Sequence, residues 1–495
     1  MNRLVKETVL AAVQVALVRN MRRFVRPVLV LVCLGYLVVF IAFLNYTYKT
    51  NRDTSNPTSF VVKSTPSFSK LERLIASNQS DALNLEVVRI LQYWKRIDSS
   101  SLKRVHWSSE QNSKFLTFEP DSGGFNNIRM NFETILAMAW VLNRTLVLPP
   151  RMQLYLLHKP SELTDYFDPV DLLNNPFLNV ITMDQFLERR SLNLSYPKTD
   201  YVKYSEFIPL FDWFRTHSCS PTWDMHAKCL NALEGSEDAV PSSDLAGFEL
   251  KAFCQKRRVV DFKPCLDSEI IHFPSNKHGN VRLFGNWFTF IHFSNHELFV
   301  HTALFLKRYV HYRPDIVQVA ARIVTELLME SQGHYYAIHA RFGDFQFSRA
   351  RVPPAIVINR VAPLFPEKNR IVYISTDEKN QTRLAPFQQA FKVRMLSDYK
   401  HIIGSHERRI YGMIEQLVCS FAQVFVGAES STFSAYITRL RFFLSKEIPI
   451  DSQIYLSTID YTLEKNLNRT FASDNWINGK WHGALWSREF DFAWV

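Results

Sequence analysis

Apolar residues fall in three patterns along this chain. One stretch is apolar without a break: Pro27–Leu44 reads PVLVLVCLGYLVVFIAFL, 18 residues with no charge, the lower end of what crosses a bilayer as a helix. Short apolar runs bounded by turn residues predict strands at Phe115–Phe118, at Leu146–Leu148 before Pro149-Pro150, and at Tyr335–Ala340, Ile371–Ser375, Val393–Leu396 and Val424–Val426. Between them helical spacing takes over, at Ile128, Phe132, Ile135, Ala139 and Leu142, and at Ile410, Ile414, Leu417 and Phe421. Further helices are expected within 80–110, over 303–331 and 382–391, and through Phe433, Tyr436, Ile437 and Leu440. Strands alternating with helices predict an α/β protein with parallel sheets, one opening at 115–148 and a second after residue 335. Residues 155–300 are Phe-rich with few clean periods and read as irregular loops around a cysteine cluster. No repeat of 20–50 residues is found.

Composition fixes the class. At 495 residues, 47% hydrophobic and 21% charged, the chain can bury a large core, which excludes wholesale disorder. The net charge of +11 suits an anionic partner: nucleic acid, acidic lipid or a phosphorylated small molecule. Part of the excess has another role. Arg3, Lys6, Arg19, Arg22, Arg23 and Arg26 precede the apolar stretch against Glu7 alone, which orients 27–44 as a signal anchor with 1–26 in the cytosol and the body in a lumen. A cleaved signal peptide is the rival reading; the long basic region and the lack of a small-x-small site after Leu44 count against it. Residues 51–70, mostly Ser, Thr, Asn and Pro, read as a stalk. Cys219, Cys229, Cys254 and Cys265 lie in one region without a C-x-x-C, so local disulfides Cys219–Cys229 and Cys254–Cys265 are expected, other pairings of the four remaining open; Cys419 reads as a core residue.

Three loops follow predicted strands, where open α/β sheets bind ligands. In Gly123-Gly124-Phe125-Asn126-Asn127 the glycines let backbone approach a phosphate and the amides offer donors at a helix start; the plainer reading is a tight turn with Asn caps. In His339-Ala340-Arg341-Phe342-Gly343-Asp344, Arg341 leaves a buried strand and needs a partner, either a pyrophosphate or an ion pair with Asp344 or a glutamate; His339 reads as a satisfied core histidine. Ser430-Ser431-Thr432-Phe433 places hydroxyls at a helix start, as an anion site or as capping alone. No D-x-D, H-E-x-x-H, Walker A or nucleophile elbow occurs, which argues against metal-dependent transfer, proteolysis, ATP hydrolysis and esterase chemistry. Asp165, Asp168 and Asp171 read as loop or helix-cap residues.

The run GGFNNIRMNFETILAMAWVLNRTLVLPP (123–150), then HARFGD (339–344), YISTDE (373–378) and FVGAESSTFSAYITRLR (425–441), resembles the GDP-fucose protein O-fucosyltransferases in order and spacing. The resemblance implies a GT-B fold, two Rossmann-like domains facing a cleft that holds GDP-fucose, and inverting, metal-independent transfer. It implies Arg341 as the catalytic arginine on the pyrophosphate and Asn127 as the asparagine of the cleft. Thr432 and Phe433 match a Ser-Phe pair on the donor phosphate, and Glu415 an acidic position that reads guanine. Gly123, Gly124, Phe125, Asn126, His339, Asp344 and Ser431 complete the expected donor site. Some members carry a base glutamate near position 123, where this chain has glycine; Glu119, Asp121 and Asp344 are substitutes. The expected layout is a cytosolic tail (1–26), an anchor (27–44), a stalk (45–80), an acceptor-side domain (81–305) and a donor-binding domain (306–495). The expected activity is a type II fucosyltransferase of the Golgi membrane, or alternatively of the endoplasmic reticulum, acting on a protein hydroxyl. A glycan acceptor and a catalytically silent donor-binding or lumenal scaffold protein are the alternatives. No metal cofactor and no nucleic-acid partner are expected.

Overall fold

The computed structural model describes residues 66–102, 113–120, 123–154, 159–198, 204–220, 227–232, 258–260, 265–274, 290–293, 296–343, 351–365, 370–428, 431–448 and 452–456. The expected anchor at 27–44 lies outside them, as do Asp121, Asp344 and Ser430; among the described residues no helix is long and apolar enough to cross a membrane. Two helices lead in, α1 (Pro66–Ala76) and α2 (Ser80–Leu91). Composition assigns α1 to the stalk, yet its Leu71 is buried in the main core and Ser67 donates to Glu447, 2.6 Å away.

The first sheet is built from β1 (Phe115–Phe118), β2 (Thr145–Val147), β3 (Val180–Ile181) and β4 (Ile270–Phe273), in the order β3-β2-β1-β4 and parallel throughout. Helix α3 (Phe125–Val141) joins β1 to β2, completing the strand–loop–helix–strand unit. The span read as irregular is more ordered than its sequence suggests. It supplies β3 and β4, helix α4 (Ile208–His217) and a separate sheet of Ala227–Ala232, Arg258–Val260 and Phe290–Phe293.

The helix expected over 303–331 is two helices, α5 (His296–Tyr309) and α6 (Pro314–Ser331). Pro314 opens the second, where a missing N–H is harmless. The second sheet follows: β5 (Tyr336–Ala340), β6 (Ile371–Thr376), β7 (Lys392–Arg394), then α7 (Tyr411–Phe421), β8 (Val424–Ala428), α8 (Thr432–Leu444) and β9 (Ser452–Leu456). Its order is β7-β6-β5-β8-β9, again all parallel. β5 and β8 are buried along their whole length, as expected of strands covered on both faces. One face shares the main core with α3, α5, α6, α7 and α8, and the other packs on Val357, Phe365 and Phe387.

The disulfide joins Cys219 to Cys265, so both expected pairs are wrong. Cys219 sits beside β4, its N–H on Ile270 O at 3.0 Å and its carbonyl accepting from His272 N at 3.0 Å, while Cys265 stands just ahead of that strand. Pairing follows this strand-edge contact and not sequence proximity. Cys419 is a free, buried thiol, as its setting in an apolar helix face suggested.

Candidate functional site

The loop after β1 is held by its own side chains. Gly124 is the residue before α3, and its carbonyl accepts from Asn127 N at 2.9 Å. A Cβ at Gly123 would stand 2.7 Å from Asn127 Nδ2, so the packed Asn127 amide demands glycine there. The same contact explains why a glutamate has no room at 123 while Asn127 keeps its place. The Phe125 ring packs on Tyr166 at 4.7 Å. Asn126 is buried, and its Oδ1 accepts from Gln416 Nε2 at 3.1 Å and from Arg129 Nε at 3.4 Å.

The loop after β5 is anchored by a residue of the neighbouring strand end. Asp377 accepts from Phe342 N at 3.0 Å and from Gly343 N at 3.2 Å, and it pairs with Arg341 Nη1 at 3.2 Å. A Cβ at Gly343 would lie 2.5 Å from Asp377 Oδ2. Arg341 therefore has an ion-pair partner in Asp377, the expected Asp344 lying outside the described residues, and its side chain stays 31% exposed. His339 is buried, with Nδ1 2.7 Å from Ser434 Oγ, whose oxygen also accepts from Ala428 N at 2.9 Å. Burial, and then the Arg341 charge, pushes His339 down to about 3, so it is neutral and serves as the core histidine that its position in the strand suggested.

At the start of α8, Ser431 is the cap residue but its hydroxyl makes no capping bond. Capping alone does not account for it. Thr432 opens the helix, and the Phe433 ring lies 4.6 Å from that of His339. Glu415, on α7, has its carboxyl enclosed although the residue as a whole is half-buried; burial pushes it up to about 8 against a hydrogen bond from Ser375. Ser375 is the register partner of His339, so Glu415 sits beside the β5–β6 strand ends.

A cavity of about 860 Å³ opens between these elements. Of the expected residues, Phe125, Asn126 and Phe433 line it. Gly123, Gly124, Asn127, His339, Arg341, Glu415, Ser431 and Thr432 are not in its lining; Asn127 packs on Gly123, and His339 behind Phe433. The remaining lining is new: Lys159, Lys379, His406, Glu407, Arg408, Arg409, Gly412, Met413 and Gln416. Among the described residues four cations against one carboxylate make the lining strongly basic, as an anionic ligand requires. Arg409 is oriented by Asp165 and Glu407, each at 2.8 Å. The adjacent arginines in His406-Glu407-Arg408-Arg409 were a readable signal; nothing in sequence flagged Gln416.

Two acidic features need separating from this cavity. Glu119 is buried, with Arg215 Nε at 2.9 Å and Nη2 at 2.8 Å on its two oxygens and His272 Nε2 at 3.2 Å. Both of its oxygens are engaged by these partners. Asp168, Asp171 and His311 bring one ligand atom each within 4.8 Å of one another. Asp168 caps the short helix Pro169–Leu173 through Val170 N. The hydrogen bond from His311 and the pairing with Arg308 hold Asp171 down to about 2. The guanidinium already supplies positive charge there, at 2.7 Å.

Similar solved structures include POFUT1 in complex with GDP-fucose, 14% identical over 72% of this chain and 99% of that one with a TM-score of 0.34. Another is the fucosyltransferase NodZ from Bradyrhizobium, 14% identical over 69% of this chain and 95% of that one with a TM-score of 0.36. None of the curated proteins compared matches the chain. The profile of the glycosyltransferase family described as GDP-fucose protein O-fucosyltransferase matches residues 115–444, which take in both parallel sheets up to β8, the three loops and α8. On that match the protein belongs to the GDP-fucose protein O-fucosyltransferase family.

Proposed function

We propose that this protein transfers L-fucose from GDP-fucose to a hydroxyl, on a serine or threonine of a protein in the secretory pathway, with inversion and without a metal ion. The family match over 115–444 carries this reading, and the basic cavity between the two sheets suits a nucleotide diphosphate. In this reading the sheets belong to two Rossmann-like domains of a GT-B enzyme. A single anchor at 27–44 holds the catalytic body in the Golgi lumen.

The acceptor oxygen attacks the anomeric carbon from the face opposite GDP. The bond from that carbon to the β-phosphate oxygen breaks, and GDP leaves with the electron pair. The hydroxyl proton passes to a base or to water. GDP gains negative charge as it leaves, so the rate depends on cations and N–H groups already aimed at its phosphates. Arg341 is the residue assigned to that charge, held by Asp377 and with its side chain partly exposed. The free N–H groups at the start of α8 are the second source. Asn127 orients the reacting groups.

The test is a panel of GDP-sugars offered to the purified full-length protein with protein and glycan acceptors, with and without EDTA. Fucose transfer to protein that survives chelation is expected. Turnover lost in EDTA and restored by Mn²⁺ would overturn the leaving-group chemistry. Transfer only to glycan would replace the acceptor, and folded protein without donor turnover would favour a silent binding protein.

A further inference from the structure

Gln416 joins the two loops that carry the proposed site. It is fully buried on α7, and its amide meets three groups. Tyr312 Oη donates to Gln416 Oε1 at 2.6 Å, while Gln416 Nε2 donates to Asn126 Oδ1 at 3.1 Å and to the Phe433 carbonyl at 3.3 Å. Asn126 belongs to the start of α3 on the first sheet, and Phe433 to the start of α8 on the second.

The network fixes which way each amide points. Turning Gln416 over would set its oxygen against the Phe433 carbonyl, two acceptors with no proton between them. Turning Asn126 over would set its NH₂ against the Arg129 guanidinium, two donors facing one another. Burial raises the Tyr312 pKa well above the ordinary tyrosine value, so its hydroxyl keeps the proton that it donates. With Oδ1 taken by Gln416 and Arg129, the Nδ2 of Asn126 has no partner among the described residues. Asn126 is only 5% exposed, and it lines the basic cavity. That NH₂ is not sealed from solvent, so it faces the cavity and is open to a ligand oxygen.

We infer that Gln416 is a positioning residue: it locks the Asn126 amide so that Nδ2 donates to a phosphate oxygen of the bound nucleotide. This rests on the proposed GDP-fucose reading and adds to it a specific donor and the residue that sets its polarity. A phosphate oxygen is the acceptor that fits, because the amide stands at the positive end of α3 among Lys159, Lys379, Arg408 and Arg409.

The experiment is a double-mutant cycle on the full-length protein, read as GDP affinity by calorimetry, with thermal melting on the same samples. Asn126→Ala should weaken GDP binding about 10- to 100-fold, the loss expected for a hydrogen bond to a charged group. Gln416→Met, close in size but unable to direct the amide, should lose most of that factor. The double variant should bind no worse than Asn126→Ala alone, because Gln416 acts through Asn126. Gln416→Glu keeps the Tyr312 bond but sets an oxygen against the Phe433 carbonyl, so its melting temperature is read beside its affinity and only binding by the folded protein counts. Its ionised carboxylate would draw Nδ2 away from the cavity and weaken GDP binding about tenfold. Losses that multiply in the double variant, or a Gln416→Glu protein that binds GDP normally, would overturn the inference and leave the GDP-fucose reading standing. A wild-type protein that does not bind GDP would overturn both.

Discussion

Replacing Glu133 by glutamine should destabilise the whole body of the protein. Glu133 is 2% exposed and lies between α3 and α8, where its carboxylate accepts from Arg129 Nη1 at 2.8 Å and from both terminal nitrogens of Arg439 at 2.8 Å. The Arg129 guanidinium also lies 3.8 Å from the centre of the Tyr436 ring. Glutamine keeps the shape, removes the negative charge and turns an NH₂ toward a guanidinium. Two buried cations then face each other without their shared anion. Breaking a buried pair in this way costs about 3–5 kcal/mol. At about 2.1 cal/mol/K per residue, roughly 300 structured residues give an unfolding entropy of about 0.6 kcal/mol per degree, so Tm should fall by about 5–8 °C. Burial pushes Glu133 up, but Arg129 and Arg439 together outweigh it and hold its pKa below the ordinary value of 4.5. A depressed carboxylate contributes its stability in full above the unfolded value and loses it as pH falls through the folded one. The gap in Tm between wild type and Glu133→Gln should therefore be constant near neutrality and close only below about pH 4.5. Calorimetric melts from pH 3.5 to 7.5 measure it. A gap under one degree at neutral pH, or a gap that does not close in acid, would refute the argument that this carboxylate holds α3 to α8.

Two further outcomes follow from the same physics. Arg341→Ala should lower kcat by on the order of 10²–10³ with a smaller change in donor affinity, and Arg341→Lys should recover little, because a point charge cannot bridge two phosphate oxygens as a planar fork does. A folded Arg341→Ala with near-normal turnover would remove it from the mechanism. Non-reducing peptide mapping should recover the Cys219–Cys265 link and no Cys219–Cys229 link, and Cys219→Ser should destabilise by up to about 4 kcal/mol, the loop-closure value for a sequence separation of 46.

What could be read from sequence, and what could not, has a physical pattern. The strands β5, β6 and β8 were legible because parallel strands buried on both faces are continuous apolar runs. β3 has only two residues, and β4 pairs with β1 at a separation of 155 positions, so neither leaves a local signal. Helix α3 showed its apolar stripe, but nothing local marks Arg129 and Glu133 as buried, which they are because α8 covers them. Of the cavity lining, Phe125, Asn126 and Phe433 could be named from sequence, because they stand in loops that follow strands. Gln416 could not, since one polar residue on an apolar helix face shows nothing until Tyr312, Asn126 and Phe433 are brought to it. Asp377 stood out only as part of the YISTDE run, and its hold on Arg341 depends on how the β5 and β6 loops meet.

The parallel sheets also dictate when the chain can fold. β1 gains β2 after 30 positions, with Phe115 opposite Thr145, but its other edge stays open until β4 emerges at Ile270. The buried charges of α3 wait longer, since Arg439 follows Glu133 by 306 positions, and α1 meets Glu447 only across 380. Until then an apolar first sheet with an unpaired edge is exposed, and closing such loops is intrinsically slow. A nascent chain of this design spends much of its synthesis prone to edge-to-edge association and dependent on chaperones, and its last native contacts form when the chain is nearly complete.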